Sequence, residues 1–298
     1  MSTEDAPFGR VSRVRDVVLR NVTLAATLVG IVSLAVLMVY VAIDAFAIFD
    51  ADQASWLDLG FLTSPPHPDP LQAGYLPAIV GSIALMVLIA VVTFPLGMGT
   101  AIYLEEYASG GPLTRVVQVN IANLAGVPSV VYGLLGLGLF VGLLDLGFGT
   151  LLVAALTISL LILPIVIIAS QEAIRAVPDT QRQASYGMGA TRWQTVRQVV
   201  IPRALPGMLT GTILALGRAI GETAPLIMIG APTAVFGIPD GLFSRITAMP
   251  MQIYTWSQYP QEAFQYGIVA AAVVVLLVVL LGMNSIAIYL RNRYQIRT

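Results

Sequence analysis

Leu216-Gly217-Arg218-Ala219-Ile220-Gly221-Glu222-Thr223-Ala224-Pro225 places two opposite charges inside an apolar stretch. The flanks, Ala204 to Gly217 and Thr223 to Pro239, carry no charge at all. A charge near a bilayer centre costs about 2.5–3.5 kcal/mol on insertion scales, so each charge here needs compensation. Arg218 and Glu222 stand four residues apart, the spacing at which side chains share a helix face and pair. Two readings stay open from the residues alone. One is a buried ion pair that fixes helix packing; the other is a charged station on a transport path, facing a bundle interior or a wet cavity.

The rest of the chain has the same membrane character. Of its 298 residues, 57% are hydrophobic and 10% charged, and the mean hydropathy is +0.85. A spanning helix needs about 20 predominantly apolar residues. The uncharged runs Leu24–Ile43, Pro70–Leu104, Val116–Leu144, Leu146–Gln171 and Ala263–Leu290 meet that length, as does Ala204–Pro239 apart from its two charges. This predicts an all-α integral membrane protein with six transmembrane helices near 22–47, 77–104, 116–142, 148–171, 206–230 and 266–290. A membrane barrel would instead show alternating segments of about ten residues. The first run exceeds a cleavable signal core, and no clear small-residue cleavage site follows it, so it is read as a permanent helix.

Arginine distribution predicts orientation. Arg10, Arg13, Arg15 and Arg20 precede the first helix, Arg115 lies between the second and third, and Arg175, Arg182, Arg192, Arg197 and Arg203 lie between the fourth and fifth. Arg291, Arg293 and Arg297 follow the sixth. All fall on one side, expected to be cytoplasmic together with both termini of a multi-pass plasma-membrane protein. The opposite side holds Arg245 among Asp50, Asp52, Asp58, Asp69, Asp145, Asp240 and Glu262. On that side, Tyr254, Trp256 and Tyr259 read as headgroup anchors.

All fifteen basic residues are arginine. A phosphate-cradling G-x-x-x-x-G-K-[ST] loop requires lysine, so transport driven by ATP would need a separate ATPase chain. The chain has no cysteine and one histidine, His67 in a Pro-rich loop. No metal site, cofactor, nucleic-acid partner or catalytic constellation is expected; the chain is not read as an enzyme by itself.

The segment 172–205 reads as a structured cytoplasmic loop. Asp179 or Thr180 is placed to cap a short helix. Gly187 and Gly189 allow a sharp bend, and Trp193, Val196, Val199 and Val200 recur at helical spacing. Pro202 and Pro206 are expected to break the chain before the fifth helix. A bent helical pair of this kind suits docking in a partner's groove.

This loop resembles the EAA loop of ABC importer permeases, whose pattern is E-A-A, three residues, G, nine residues and I-x-L-P. Gln183-Ala184-Ser185 stands at E-A-A, Gly189 at the glycine, and Val199-Val200-Ile201-Pro202 at the end. Glutamate is replaced by Gln183 and the second alanine by Ser185. Leu124-Ala125-Gly126-Val127-Pro128-Ser129-Val130-Val131-Tyr132-Gly133, the Arg218–Glu222 segment and Ala248-Met249-Pro250-Met251-Gln252-Ile253-Tyr254 resemble stretches of phosphate-specific permeases, of the A type (PstA) more than the C type. The resemblance covers nearly the whole chain and implies a type I ABC importer permease fold. Residues 1–76 would hold the N-terminal segment, first helix and outer loop, 77–290 the permease core, and 291–298 a cytosolic tail.

The resemblance further implies that Gln183, Ala184, Ser185, Gly189, Trp193 and Pro202 belong to the ATPase-coupling segment. Arg218, Glu222 and Thr223 would lie on the substrate path, with Arg218 holding the anion and Glu222 its resting partner. The implied partners are a second permease (PstC type), two ATP-binding subunits (PstB type), an extracytoplasmic phosphate-binding protein (PstS type) and the lipid bilayer. Permeases for sulfate or molybdate, an ion-coupled secondary transporter and a membrane sensor without transport remain the competing readings.

Overall fold

The computed structural model describes residues 7–47, 55–230, 235 and 237–294. The elements in chain order are α1 (Pro7–Ala45), α2 (Leu59–Thr63), α3 (Leu76–Ile102), α4 (Pro112–Ala125), α5 (Ser129–Gly136), α6 (Leu151–Arg175), α7 (Asp179–Gly187), α8 (Arg192–Thr195), α9 (Ile201–Ala219), α10 (Ala224–Met228), α11 (Met249–Ser257) and α12 (Val269–Tyr294). Wide π-type turns extend α3 through Tyr103–Tyr107 and α5 through Leu137–Leu143. They also join α8 to α9 at Val196–Val200 and precede α12 at Ala263–Ile268.

Among the described residues, five helical stretches are long and apolar enough to cross a membrane: Arg15–Ala45, Leu76–Tyr107, Leu151–Arg175, Arg192–Ala219 and Ala263–Arg293. The sixth expected span, 116–142, is not one helix. Pro112–Ala125 and Ser129–Leu143 meet at a bend of 107°. Gly126 ends the first half, and Pro128, which lacks an amide hydrogen, starts the second. The first helix also begins earlier than expected: the backbone at Arg10, Arg13, Arg15 and Arg20 is already helical. The expected acidic residues Asp50 and Asp52, and Arg297, lie outside the described residues.

At the centre stands α6. Ala154, Ile158, Ile162 and Val166 are fully enclosed, and α6 packs chiefly on α3 and α9. Burial on every side explains its nearly continuous apolar sequence. In contrast, α1 joins the bundle near its end, where Ala45 is buried and Val41 packs on the core. Its earlier apolar side chains, from Val17 to Tyr40, face outward, as suits contact with lipid.

The loop between α10 and α12 also differs from expectation. Trp256 is not a headgroup anchor but a core residue, 1% exposed. It lies with Phe61, Tyr75 and Phe264 in one aromatic cluster, at ring-centroid distances of 6.0, 5.4 and 6.1 Å. The Tyr75 hydroxyl donates to the Met249 carbonyl at 2.9 Å, and the Met249 amide donates to Ser82 Oγ at 2.7 Å. These buried bonds seat α11 on the start of α3. Tyr254 remains exposed and Tyr259 half-buried.

Candidate functional site: a charged break in α9 and the loop at its other end

The helix expected over 206–230 stops at Ala219. Gly221 is a poor helix interior residue, and Pro225 cannot donate to a carbonyl one turn back. The chain therefore turns through Ile220–Thr223 before α10 begins. Arg218 lies in the last turn of α9, where a cation also complements the helix dipole. Its Nε donates to Glu222 Oε1 at 3.2 Å. The expected pair exists, but it bridges a helix break instead of lying along one helix face.

Exposure separates the two partners. The Arg218 side chain is 52% exposed and that of Glu222 15%. Only Nε of Arg218 is engaged among the described residues. The outer edge of its guanidinium is thus available to an oxyanion, which this planar fork binds through parallel hydrogen bonds. Glu222 turns instead to a tight crevice lined by Ser82, Leu85, Met86 and Pro250. Thr223 is half-buried, and its side chain makes no capping bond. The start of α11 therefore packs beside the carboxylate, while the cation stays open.

The two broken helices meet. At Gly133 of α5, a Cβ would lie 2.7 Å from Met228 Cβ and 2.8 Å from Pro225 Cα. Only glycine permits that approach, so the Leu124–Gly133 stretch and the Arg218–Pro225 stretch form one contact region.

The loop from 172 to 205 is a bent helical pair, as expected, with different details. Pro178 occupies the N-cap of α7, and neither Asp179 nor Thr180 caps it. Gly189 makes the bend at φ +81°, and Gly187 simply ends α7. Thr191 and Gln194 form a reciprocal capping box at α8, with bonds of 3.3 and 2.8 Å. Pro202 and Pro206 do not break the chain. Pro202 directly follows the wide turn Val196–Val200 that leads into α9, and Pro206 lies within the helix. A single stretch thus runs from the loop tip at Arg192 to Ala219 beside the charged pair.

Ser185 hydrogen-bonds Thr195 at 2.8 Å, hydroxyl to hydroxyl, tying α7 to α8. Val196 and Val200 turn fully inward and Val199 partly so, which explains the valine stripe. Gln183, Ala184 and Gly189 stay exposed, as do Tyr186, Met188 and Trp193, the last two at 90% and 57%. An exposed Trp and Met at a loop tip form an apolar surface of the kind that docks a partner.

The acidic residues that hold this loop's arginines in place, Glu105 and Glu106, are not marked by any motif in the sequence. Glu105, in the turn after α3, takes a forked bond from Arg175 (Nε to Oε2 3.0 Å, Nη2 to Oε1 2.6 Å) and accepts from Gln171 at 2.8 Å. Glu106 pairs with Arg182 at 3.1 Å. Arg192 lies 5.4 Å from the Tyr107 ring centroid, a cation–π contact. Together with Asp179 and Tyr186 these charged groups line a cleft of about 410 Å³. The available signal was the acidic pair Glu105-Glu106, placed on a side otherwise rich in arginine.

Comparison with known proteins agrees with this architecture. Residues 94–295 match the family described as the binding-protein-dependent transport system inner membrane component. The chain belongs to this family. It is 37% identical over 220 residues to the phosphate transport system permease protein PstA of Mycobacterium leprae, covering 73% of this chain and 70% of the relative. It is 35% identical to PstA 1 of Mycobacterium tuberculosis (strain CDC 1551 / Oshkosh), over 71% and 69% of the two chains. A PstC protein of Mesorhizobium japonicum is 30% identical over 100% of this chain and 96% of its own. Among solved structures, a bacterial alginate ABC transporter in complex with a pentasaccharide-bound periplasmic protein superposes with a TM-score of 0.70 at 17% identity, covering 94% and 96%. The fold is that of an ABC importer permease, and the chain is a multi-span membrane permease.

Proposed function

We infer that the chain is a transmembrane permease subunit of an ATP-driven importer of inorganic phosphate. The observation that carries this reading is Arg218: a permanently charged guanidinium, half-exposed at a helix break within an apolar bundle. Inorganic phosphate is an oxyanion with one to two charges near neutral pH, and its passage through hydrocarbon needs a fixed cation. Glu222 occupies Nε of that cation at rest, which limits the cost of an empty charged site. Phosphate would engage the free edge of the guanidinium. The relatives named as PstA support phosphate as the oxyanion.

On this reading a second, related permease completes the path, two ATPase subunits sit below the two permeases, and one of them docks on α7 and α8 of this chain through Tyr186, Met188 and Trp193. A binding protein delivers phosphate at the end carrying α11. The arginine-rich side is cytoplasmic. The test is uptake of radiolabelled phosphate into proteoliposomes containing the complete complex, with sulfate and molybdate as competitors. ATP-dependent uptake that excess sulfate does not reduce supports the reading. Uptake displaced equally by sulfate or molybdate would reassign the substrate, and uptake driven by an ion gradient without ATP would reassign the class.

A further inference from the structure

Helix α3 touches both functional regions of the chain. Near its start, Ser82, Leu85 and Met86 line the crevice that Glu222 faces. At its other end, the turn Tyr103–Tyr107 carries Glu106, which is paired to Arg182 of α7. No other helix joins the crevice at Glu222 to α7 by a buried charge pair among the described residues.

The Glu106–Arg182 contact is unlike the other pairs around it. Arg182 is 16% exposed and Glu106 7%, whereas Arg175 is 50% and Glu172 66% exposed. Arg182 also donates to the carbonyls of Val177 at 2.6 Å and Ile174 at 2.9 Å, at the end of α6. One guanidinium thus holds together α3, the end of α6 and the start of α7. An exposed ion pair is loosened by water and salt, but a buried and fully bonded one resists separation. The pair behaves as a joint: if α7 is displaced, the end of α3 is carried with it.

We propose that Glu106 and Arg182 are positioning residues for coupled transport, joining the docking loop to α3 so that movement of α7 shifts the crevice beside Glu222. Neither residue touches the transported anion. The proposal rests on the reading that α7 and α8 dock an ATPase. Rigid elements with a shared joint are the physical carriers of coupling between distant sites. Pro95 gives α3 a weak point between its ends, while Gly97 brings it tightly against Val166 of α6. Bending of α3 would then occur about its contact with α6.

The experiment uses the complete complex with its second permease, ATPase and binding protein in proteoliposomes. Glu106→Gln keeps an oxygen for Arg182 but removes the charge attraction. The expected result is an ATPase that remains bound at normal stoichiometry, while phosphate taken up per ATP hydrolysed falls about tenfold, a scale typical of a coupling element. Glu106→Asp, which keeps the charge, should recover part of that ratio. Glu172→Gln, which removes an exposed acid from the same face, should leave it unchanged. A normal ratio in Glu106→Gln overturns the proposal, and so does loss of the ATPase from that complex, which would mark a purely structural role. If Glu106→Gln does not accumulate, the double variant Glu106→Gln, Arg182→Gln removes the buried guanidinium, whose remaining acidic partner is the exposed Asp179 at 2.9 Å, and its uptake per ATP decides the same question by the same criterion. Absence of ATPase from the unaltered complex would refute the docking reading and is seen separately.

Discussion

Nε of Arg218 lies 3.2 Å from Oε1 of Glu222, although the helix that carries the arginine ends at Ala219. The pair therefore joins the last turn of α9 to the break that precedes α10. Its geometry depends on the turn at Ile220–Thr223 and on the contact of α10 with α5. A change in that turn would part the charges, which suits an arginine that must exchange one anionic partner for another.

Replacement of Arg218 by glutamine keeps hydrogen-bonding capacity and removes the charge. Phosphate uptake per assembled complex should fall by about a hundredfold, the scale seen when a preorganised donor to an oxyanion is removed. Arg218→Lys should recover only part, because an ammonium lacks the planar fork. Normal uptake by Arg218→Gln would leave the pair as a structural ion bridge. Glu222→Gln frees the guanidinium, and the expected effect is slower release of phosphate with entry preserved, measured as a lower maximal rate and a lower half-saturating concentration.

Topology is open to direct labelling because the chain has no cysteine. Single cysteines at Ser55, Thr180 and Ser257 can be treated with an impermeant thiol reagent in intact cells. Ser55 and Ser257 should label from outside, and Thr180, exposed in α7, only after the membrane is opened. Labelling of Thr180→Cys from outside would reverse the assigned orientation.

At Gly189 the backbone holds φ +81°, and a Cβ there would meet nothing within 4 Å. The cost of a side chain is therefore conformational, about 1–2 kcal/mol for an ordinary residue. Gly189→Val should loosen the bend and reduce the ATPase retained on purification of the complex. Gly189→Asn, which tolerates the left-handed region, should retain more. Equal retention in both would show that the bend does not position the docking surface.

Gly133→Ala tests the meeting of the two broken helices. Its Cβ would press on Met228 and Pro225, with an overpacking cost of about 1–3 kcal/mol. The expected outcome is a lower melting temperature in detergent and reduced uptake. An unchanged melting temperature would mean that α5 and α10 separate freely.

Trp256→Ala removes the centre of the aromatic cluster that seats α11. A buried tryptophan truncated to alanine costs about 3–5 kcal/mol. The variant should unfold at lower temperature and become sensitive to protease between α10 and α12. Were Trp256 a headgroup anchor, the change would barely alter either measurement.

Much of this molecule was legible in its residues. Uncharged runs longer than a bilayer is thick can be stable only as membrane helices, so the all-α class followed from hydrophobicity alone. The four-residue separation of Arg218 and Glu222 allowed their pairing, and Gly187 and Gly189 allowed the bend, because each depends on residues close in sequence. Absence of lysine excluded an internal P-loop on chemistry alone.

Tertiary packing decided the rest. Pro128 and Pro225 stand where a new half-helix starts after a break, while Pro202 and Pro206 lie within one continuous stretch. A proline's missing amide is harmful only where the structure would otherwise use it, and the helix's extent determines that. Trp256 suits a headgroup layer and an aromatic core equally well; Phe61, Tyr75 and Phe264 placed it in the core. Glu106 and Arg182 are 76 residues apart, and nothing local marks them as partners. Their pairing exists because α3 and α6 lie side by side, bringing the end of one helix to the loop that follows the other.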